Sequence, residues 1–145
     1  MDIRIIDPTK KPTHSEKEKM VDFLFEHLDE FGDQKKDILK AIDYSLNECT
    51  SFGGFVVVQE ENNELIGATV INQTGMGGYI PENILVYIAI HKDHRGKGLG
   101  KSLMQKAIEV SEGDIALHVE AGNPAKFLYE KLGFTNPYLE MRLKK

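Results

Sequence analysis

Leu85 to Glu112 constrains what this chain can fold into more than any other stretch. It opens with six mostly apolar, β-favouring residues, Leu85–Ile90, which read as a buried strand. A short charged turn follows, His91–Lys97, with glycines at 96, 98 and 100. An amphipathic helix comes next, with Leu99, Leu103, Met104, Ala107, Ile108 and Ser111 on one face at three- and four-residue spacing. A strand, a glycine turn and a helix in this order aim several main-chain N–H groups and the positive end of a helix dipole at one point. An anion belongs there, and a phosphate fits best.

Spacing narrows the phosphate ligand. A Walker A loop needs G-x-x-x-x-G-K-[ST]. Gly100-Lys101-Ser102 supplies its end, but Arg95 stands where the first glycine is required. A dinucleotide fingerprint needs G-x-G-x-x-G; Gly96-Lys97-Gly98-Leu99-Gly100 falls one residue short. Both nucleotide readings fail by one position.

The pattern that remains, Arg95-Gly96-Lys97-Gly98-Leu99-Gly100, resembles the Q/R-x-x-G-x-G/A signature of the GNAT superfamily of acyl-CoA-dependent N-acetyltransferases. Tyr87-Ile88-Ala89-Ile90-His91 is similar to that family's cofactor-binding strand. Downstream, the run from Asn123 to Phe134, NPAKFLYEKLGF, resembles the family's N-x-x-A-x-x-x-Y-x-x-x-G-F segment. The two matches, in this order, span about a third of the chain, Val86 to Phe134.

The resemblance implies a mixed, mostly antiparallel sheet of the GNAT type, α/β in class, with one central parallel strand pair and helices on both faces. It implies acetyl transfer from acetyl-CoA to a primary amine, small molecule or peptide, by direct attack in a ternary complex. It also implies roles. The N–H of Ile88 would face the acetyl carbonyl, and Ala89 and Ile90 would pair with pantetheine. Arg95, Gly96, Lys97, Gly98, Leu99, Gly100 and Lys101 would hold the pyrophosphate, mainly through main-chain N–H groups. Asn123 would reach the pantetheine amide, a role compatible with capping a helix. Tyr129 matches the tyrosine that protonates the leaving thiolate, although a buried core tyrosine satisfies the same spacing. Some relatives, such as the ribosomal-protein N-acetyltransferases, carry a glutamate base five residues before the motif asparagine. This chain has His118 there, with Glu120, Glu82 and a water relay as competitors. Dimers are common in the family, but nothing in this chain signals one.

Bulk properties set the outer bounds. One domain spans residues 1–145, long enough to bury a core without staples. A single cysteine, Cys49, precludes an internal disulfide and fits a reducing, cytoplasmic setting. No apolar run approaches a membrane span. The net charge of −5, concentrated in residues 1–50, disfavours nucleic acid as a partner. It suits a cationic amine, though a solvated helix face accounts for it equally well. His118 and Glu120 lack the partner cluster a metal site requires. A CoA-binding module without catalysis, or a nucleotide-binding protein, are the competing functions.

In order, Asp2–Ile6 reads as a strand. Ser15 with Glu18 forms a capping box for a helix that buries Met20, Val21, Leu24, Phe25, Leu28 and Phe31. Asp33 caps a second helix with Ile38, Leu39, Ile42 and Leu46 inward. Phe55–Gln59 and Leu65–Asn72 form a hairpin around Glu61-Asn62-Asn63-Glu64. Gln73–Pro81 is a glycine-containing loop, either shaping the substrate site or merely connecting strands. Asp114–Ala121 reads as a strand parallel to Leu85–Ile90. Asn123 caps a last helix that begins at Pro124 and ends at Gly133, and Tyr138–Leu143 alternates as a closing strand.

Overall fold

A computed structural model describes all of residues 1–145. Strand β1 (Asp2–Ile6) is followed by helices α1 (His14–Leu28) and α2 (Lys35–Ser45), strands β2 (Gly54–Glu61), β3 (Glu64–Gln73) and β4 (Asn83–Ile90), helix α3 (Leu99–Val110), strand β5 (Ile115–Leu117) and helix α4 (Ala125–Lys131). The five strands lie in sequence order in one sheet. Every pairing is antiparallel except β4 with β5, which is parallel. The expected mixed, mostly antiparallel sheet with one parallel pair is therefore present, with that pair at the β5 edge of the sheet rather than at its centre.

The β2–β3 hairpin turns at Asn62 and Asn63, both left-handed with φ of 53° and 64°. Asparagine tolerates that conformation, and a turn of this hand matches the twist of the flanking strands. The period-two patterning of β2 and β3 feeds two cores. Ile6, Val56, Val58, Ala68 and Val70 pack under α1 and α2, against Met20, Leu24, Ile38 and Ile42. Phe55, Val57, Ile71 and Leu85 pack on the other face against Leu103, Met104 and Ala107 of α3 and Tyr129 of α4. Helices thus cover both faces.

Several local expectations are corrected. The α1 capping box is Thr13 with Glu16, not Ser15 with Glu18: Thr13 Oγ1 accepts the Glu16 N–H at 3.1 Å and Glu16 Oε1 accepts the Thr13 N–H at 3.2 Å. The earlier box wins because Glu16 also pairs with Arg4 of β1 at 3.0 Å, tying the helix start to the sheet. Thr13→Ala should therefore cost about 1 kcal/mol of stability, read by urea or thermal unfolding. Asp33 does not cap α2; Gln34 stands at that position without a side-chain bond, and Asp33 Oδ2 instead accepts the Tyr87 hydroxyl at 2.5 Å. Phe25, Leu39 and Ile108 are exposed, while Phe23, His27 and Ala41 take inward positions.

The largest corrections are at the C-terminal side. The expected strand Asp114–Ala121 is regular only over Ile115–Leu117. Tyr138–Leu143 forms no strand, and its apolar side chains are exposed. An alternating pattern makes a strand only where a partner edge offers hydrogen bonds, and no neighbour pairs with these residues. Helix α4 starts at Ala125 with Pro124 before it, one residue later than expected. Asn123 still caps its first turn, since its Oδ1 accepts the Ala125 N–H at 2.9 Å.

Candidate active site

The site grows from a single extra residue in β4. Val70 opposes Tyr87 and Ile71 opposes Leu85, so Val86 is bulged out of the β3–β4 register. A bulge reverses which face the following residues address. Leu85 accordingly packs towards α3, whereas Tyr87 and Ala89 pack under α1 and α2, and Ile88 and Ile90 return to the α3 side. The Tyr87 carbonyl accepts the Thr69 hydroxyl at 2.8 Å.

The same bulge marks where β5 departs. The parallel pair runs Asn83 with Ile115, Ile84 with Ala116 and Leu85 with Leu117, and stops there. Buried Asn83 fixes its start, with Nδ2 donating to the Glu112 carbonyl at 2.7 Å and its N–H donating to the Asp114 carbonyl at 3.1 Å. From Val86 to Ile90 that edge of β4 has no strand beside it. An extended ligand can pair there as a strand would. Ile88, Ala89 and Ile90 all lie on this open stretch.

The strand then enters a turn. His91–Arg95 contains a single 3-10 turn, Lys92–His94, and Gly96 and Gly98 follow with φ of 79° and 77°. Space is open where a Cβ on either glycine would project. From Arg95 to Lys101 no main-chain N–H meets an acceptor within the protein; the Ser102 N–H is the first to do so, bonding to the Gly98 carbonyl at 3.1 Å. Seven consecutive N–H donors without a protein acceptor at the start of α3 make the kind of array that an anion satisfies. Gly100 differs from its neighbours. A Cβ there would sit 3.2 Å from Leu128 Cδ2 and 3.8 Å from Ile90 Cγ1, so this glycine lets α3 approach β4 and α4 closely.

Arg95 stays exposed but its guanidinium folds back onto the protein. Its Nη2 donates to the His27 carbonyl at the end of α1, at 2.7 Å, and its Nε donates to the Ile90 carbonyl at 3.2 Å. Its side chain braces the turn, and what it offers an anion is its main-chain N–H. Lys97 and Lys101 are exposed and add positive charge.

Tyr129 lies in the α3-side core, 6 % exposed, with its ring centroid 6.0 Å from that of Phe134. Burial pushes its phenol up to about 12, so it is protonated at any physiological pH. Its hydroxyl makes no hydrogen bond within the protein. His118 is exposed, just past the end of β5, and Glu120 is exposed beyond it, so neither lies on the regular strand expected over Asp114–Ala121. Glu82 Oε1 accepts the Asp114 N–H at 3.4 Å, bracing the loop into β5. The Gln73–Pro81 loop joins β3 to the opposite end of β4 from the glycine turn, closed by Thr74 bonds to Pro81 and Glu82. No three histidine, cysteine, aspartate or glutamate side chains converge to hold a metal, and no helix is long and apolar enough to cross a membrane.

Two residues beneath the turn were not singled out from sequence. Gln59 of β2, 1 % exposed, donates from Nε2 to the Leu99 carbonyl at 3.2 Å and so anchors the first turn of α3. His27 accepts the Lys92 N–H on Nδ1 at 3.2 Å. The available signals were a polar residue inside an apolar strand and a histidine four residues from Phe23 on a helix.

A model of the acetyltransferase (GNAT) domain family matches residues 52–136, which include the bulged strand, the glycine turn and α4. N-alpha-acetyltransferase 30 of Schizosaccharomyces pombe is 30% identical over 114 residues, covering 68% of this chain and 76% of that protein. The [ribosomal protein bS18]-alanine N-acetyltransferase of Haemophilus influenzae is 37% identical over 78 residues, and the match spans 51% of this chain and 50% of that relative. Among solved structures, an aminoglycoside N-acetyltransferase in complex with CoA superimposes with a TM-score of 0.69 at 15% identity, over 99% of this chain and 93% of that one. At that identity the likeness is one of fold.

Proposed function

We propose, for a chain that belongs to the GNAT family of acetyltransferases and so transfers an acetyl group from acetyl-CoA to an amine, that the acceptor is the N-terminal α-amine of a polypeptide. The observation that carries the site is the parting of β4 and β5 after Leu85, with seven free N–H donors at the far end of the opened edge. Gly96 to Lys101 would take the diphosphate, Ala89 and Ile90 would pair with the pantetheine arm, and the Ile88 N–H would donate to the thioester oxygen as it gains negative charge. Asn123 would reach the pantetheine amide while still capping α4. Two features support this reading: a narrow extended arm needs only main-chain partners, which the unpaired β4 edge offers, and a diphosphate needs N–H donors unobstructed by Cβ atoms, as at Gly96 and Gly98.

Two lines support the α-amine. The relatives reported above are named as an N-alpha-acetyltransferase and a ribosomal-protein alanine N-acetyltransferase. The second line is chemical. An α-amine titrates near 7.7–8.0 and is roughly a quarter neutral at physiological pH, whereas a lysine amine is neutral in about one part in a thousand. A weak, solvent-exposed base such as His118, or a water in its place, is enough for the first and poor for the second. His118 takes the proton as the nitrogen attacks, and Tyr129 donates to the sulfur as the C–S bond breaks.

The test is thiol release from acetyl-CoA with three acceptor sets: peptides bearing free N-termini, the same peptides N-blocked with internal lysines, and aminoglycosides. Release with the first set alone, with the acetyl group located on the α-nitrogen by mass spectrometry, is the expected outcome. Turnover confined to lysines or aminoglycosides would overturn the acceptor assignment. CoA binding without turnover on any amine would leave a non-catalytic binding module.

A further inference from the structure

His27 is the one histidine buried in this protein, 5 % exposed at the last turn of α1, and the chemistry described so far makes no use of it. Its backbone and side chain both grip the glycine turn. Nδ1 accepts the Lys92 N–H at 3.2 Å, and the carbonyl accepts Arg95 Nη2 at 2.7 Å. Its ring lies between Phe23, at a centroid distance of 4.7 Å, and His91, at 4.2 Å. The turn is held from the other side by the His91 N–H, which donates to the Ile66 carbonyl at 2.8 Å. The seven free donors begin at Arg95, immediately after these contacts.

We propose that His27 is a positioning residue for the CoA-binding turn, whose unprotonated Nδ1 fixes Lys92 and thereby the donors that follow, so that protonating its ring loosens the turn and weakens acetyl-CoA binding. This rests on the CoA-binding reading given above. The argument is one of hydrogen-bond polarity. A neutral imidazole has one acceptor nitrogen, and here a backbone N–H occupies it; an imidazolium has none, so its new N–H would face the Lys92 N–H. A donor facing a donor turns an attraction into a repulsion, and the turn is the part free to move.

Every charged neighbour bears on this proton. Burial, and then His91, Arg95 and Lys92 on the turn, hold the His27 imidazole below the ordinary histidine range, while Glu26 on its own helix opposes them. Glu26 Oε2 lies 3.7 Å from Nε2. Behind His91, His94 approaches edge-on at 5.4 Å, with Glu61 of β2 4.0 Å from His94 Nδ1, and exposed Asp93 lies 4.0 Å from His91 Nδ1. Because the folded value is depressed, a displaced or unfolded ring takes up a proton before the packed one does. The contact is intact above about 6.5 and is lost as pH falls through the depressed folded value.

Titrating the imidazole of His27 by NMR in the unaltered protein, with and without CoA, tests the idea without a mutation. Linkage requires that CoA, which favours the ordered turn, shift the His27 midpoint downward. The ligand's phosphates acting by charge alone would shift it upward, so an unchanged or raised midpoint overturns the proposal. In parallel, CoA affinity measured from about pH 8 to about pH 5 should fall roughly tenfold in the parent and less than about threefold in His27→Asn, whose Oδ1 replaces Nδ1 as an acceptor that does not titrate. Equal slopes in the two proteins overturn the role of His27 while leaving the site standing. Failure of the parent to bind CoA at about pH 8 overturns the site itself.

Discussion

Tyr129→Phe should lower kcat by roughly 10²-fold while leaving CoA affinity and folding nearly unchanged. The ring packs among Phe55, Leu85, Leu103 and Met104, and phenylalanine preserves that packing. The hydroxyl has no hydrogen-bond partner in the protein to lose, so its removal leaves nothing buried and unsatisfied. What would disappear is the hydrogen-bond donor proposed to face the sulfur. A phenol near 12 is a weaker acid than a thiol, which titrates near 8.5, so full transfer to the thiolate is uphill. In the proposed reaction Tyr129 would therefore act by hydrogen bonding to charge as it develops on the sulfur, where a buried donor stabilises such charge more than water does. Thiol release gives kcat and calorimetry gives the CoA dissociation constant. Turnover within about twofold of the parent would remove Tyr129 from the reaction.

Gly98→Glu should raise the CoA dissociation constant by more than ~10²-fold with a modest loss of stability. Gly98 precedes α3 with φ of 77° and has open space beyond its α-carbon. A side chain there clashes with nothing in the protein, so the cost to folding is the left-handed backbone alone, about 1–2 kcal/mol. The new carboxylate, however, would stand in front of the free donors and both occupy and repel the diphosphate's place. Gly98→Ala separates the two effects, since it carries the backbone cost without the charge. Thermal unfolding should rank the two variants together, and CoA affinity should rank them far apart. Affinity retained in Gly98→Glu would move the phosphate site elsewhere.

Both experiments concern residues that spacing in the sequence singles out. Gly96, Gly98 and Gly100 look alike in the sequence, yet they divide in the folded protein. The first two open space for a ligand, and the third closes the gap between α3, β4 and α4. Arg95 divides likewise. Its place in the motif suits phosphate, but its guanidinium is spent on the carbonyls of His27 and Ile90. A motif fixes which backbone path is available. It does not fix which way a long side chain turns, because that depends on acceptors contributed by distant segments.

The alternation of Asp114–Ala121 and of Tyr138–Leu143 shows the same limit in a different form. Period-two patterning states what a strand would look like if it had a partner. The pairing of β4 with β5 stops after Leu85, beside the bulge at Val86, so His118 to Ala121 find no partner edge. No residue in Leu85–Ile90 announces that bulge, since β-branched and aromatic residues suit either register.

The sequence by itself determined the order of elements from β1 to α4, the hairpin around Glu61-Asn62-Asn63-Glu64, the strand–glycine turn–helix and the placing of Tyr129 within α4, because each depends on local propensity and short spacing. Tertiary structure alone decided that Thr13 and not Ser15 caps α1, that β5 stops at Leu117, and that the Arg95 guanidinium folds back onto the carbonyls of His27 and Ile90. It alone brought His27 and Gln59 under the turn, from α1 and β2. These outcomes depend on pairings between residues far apart in the chain, where the energy of one hydrogen bond or one register step is settled by what lies opposite.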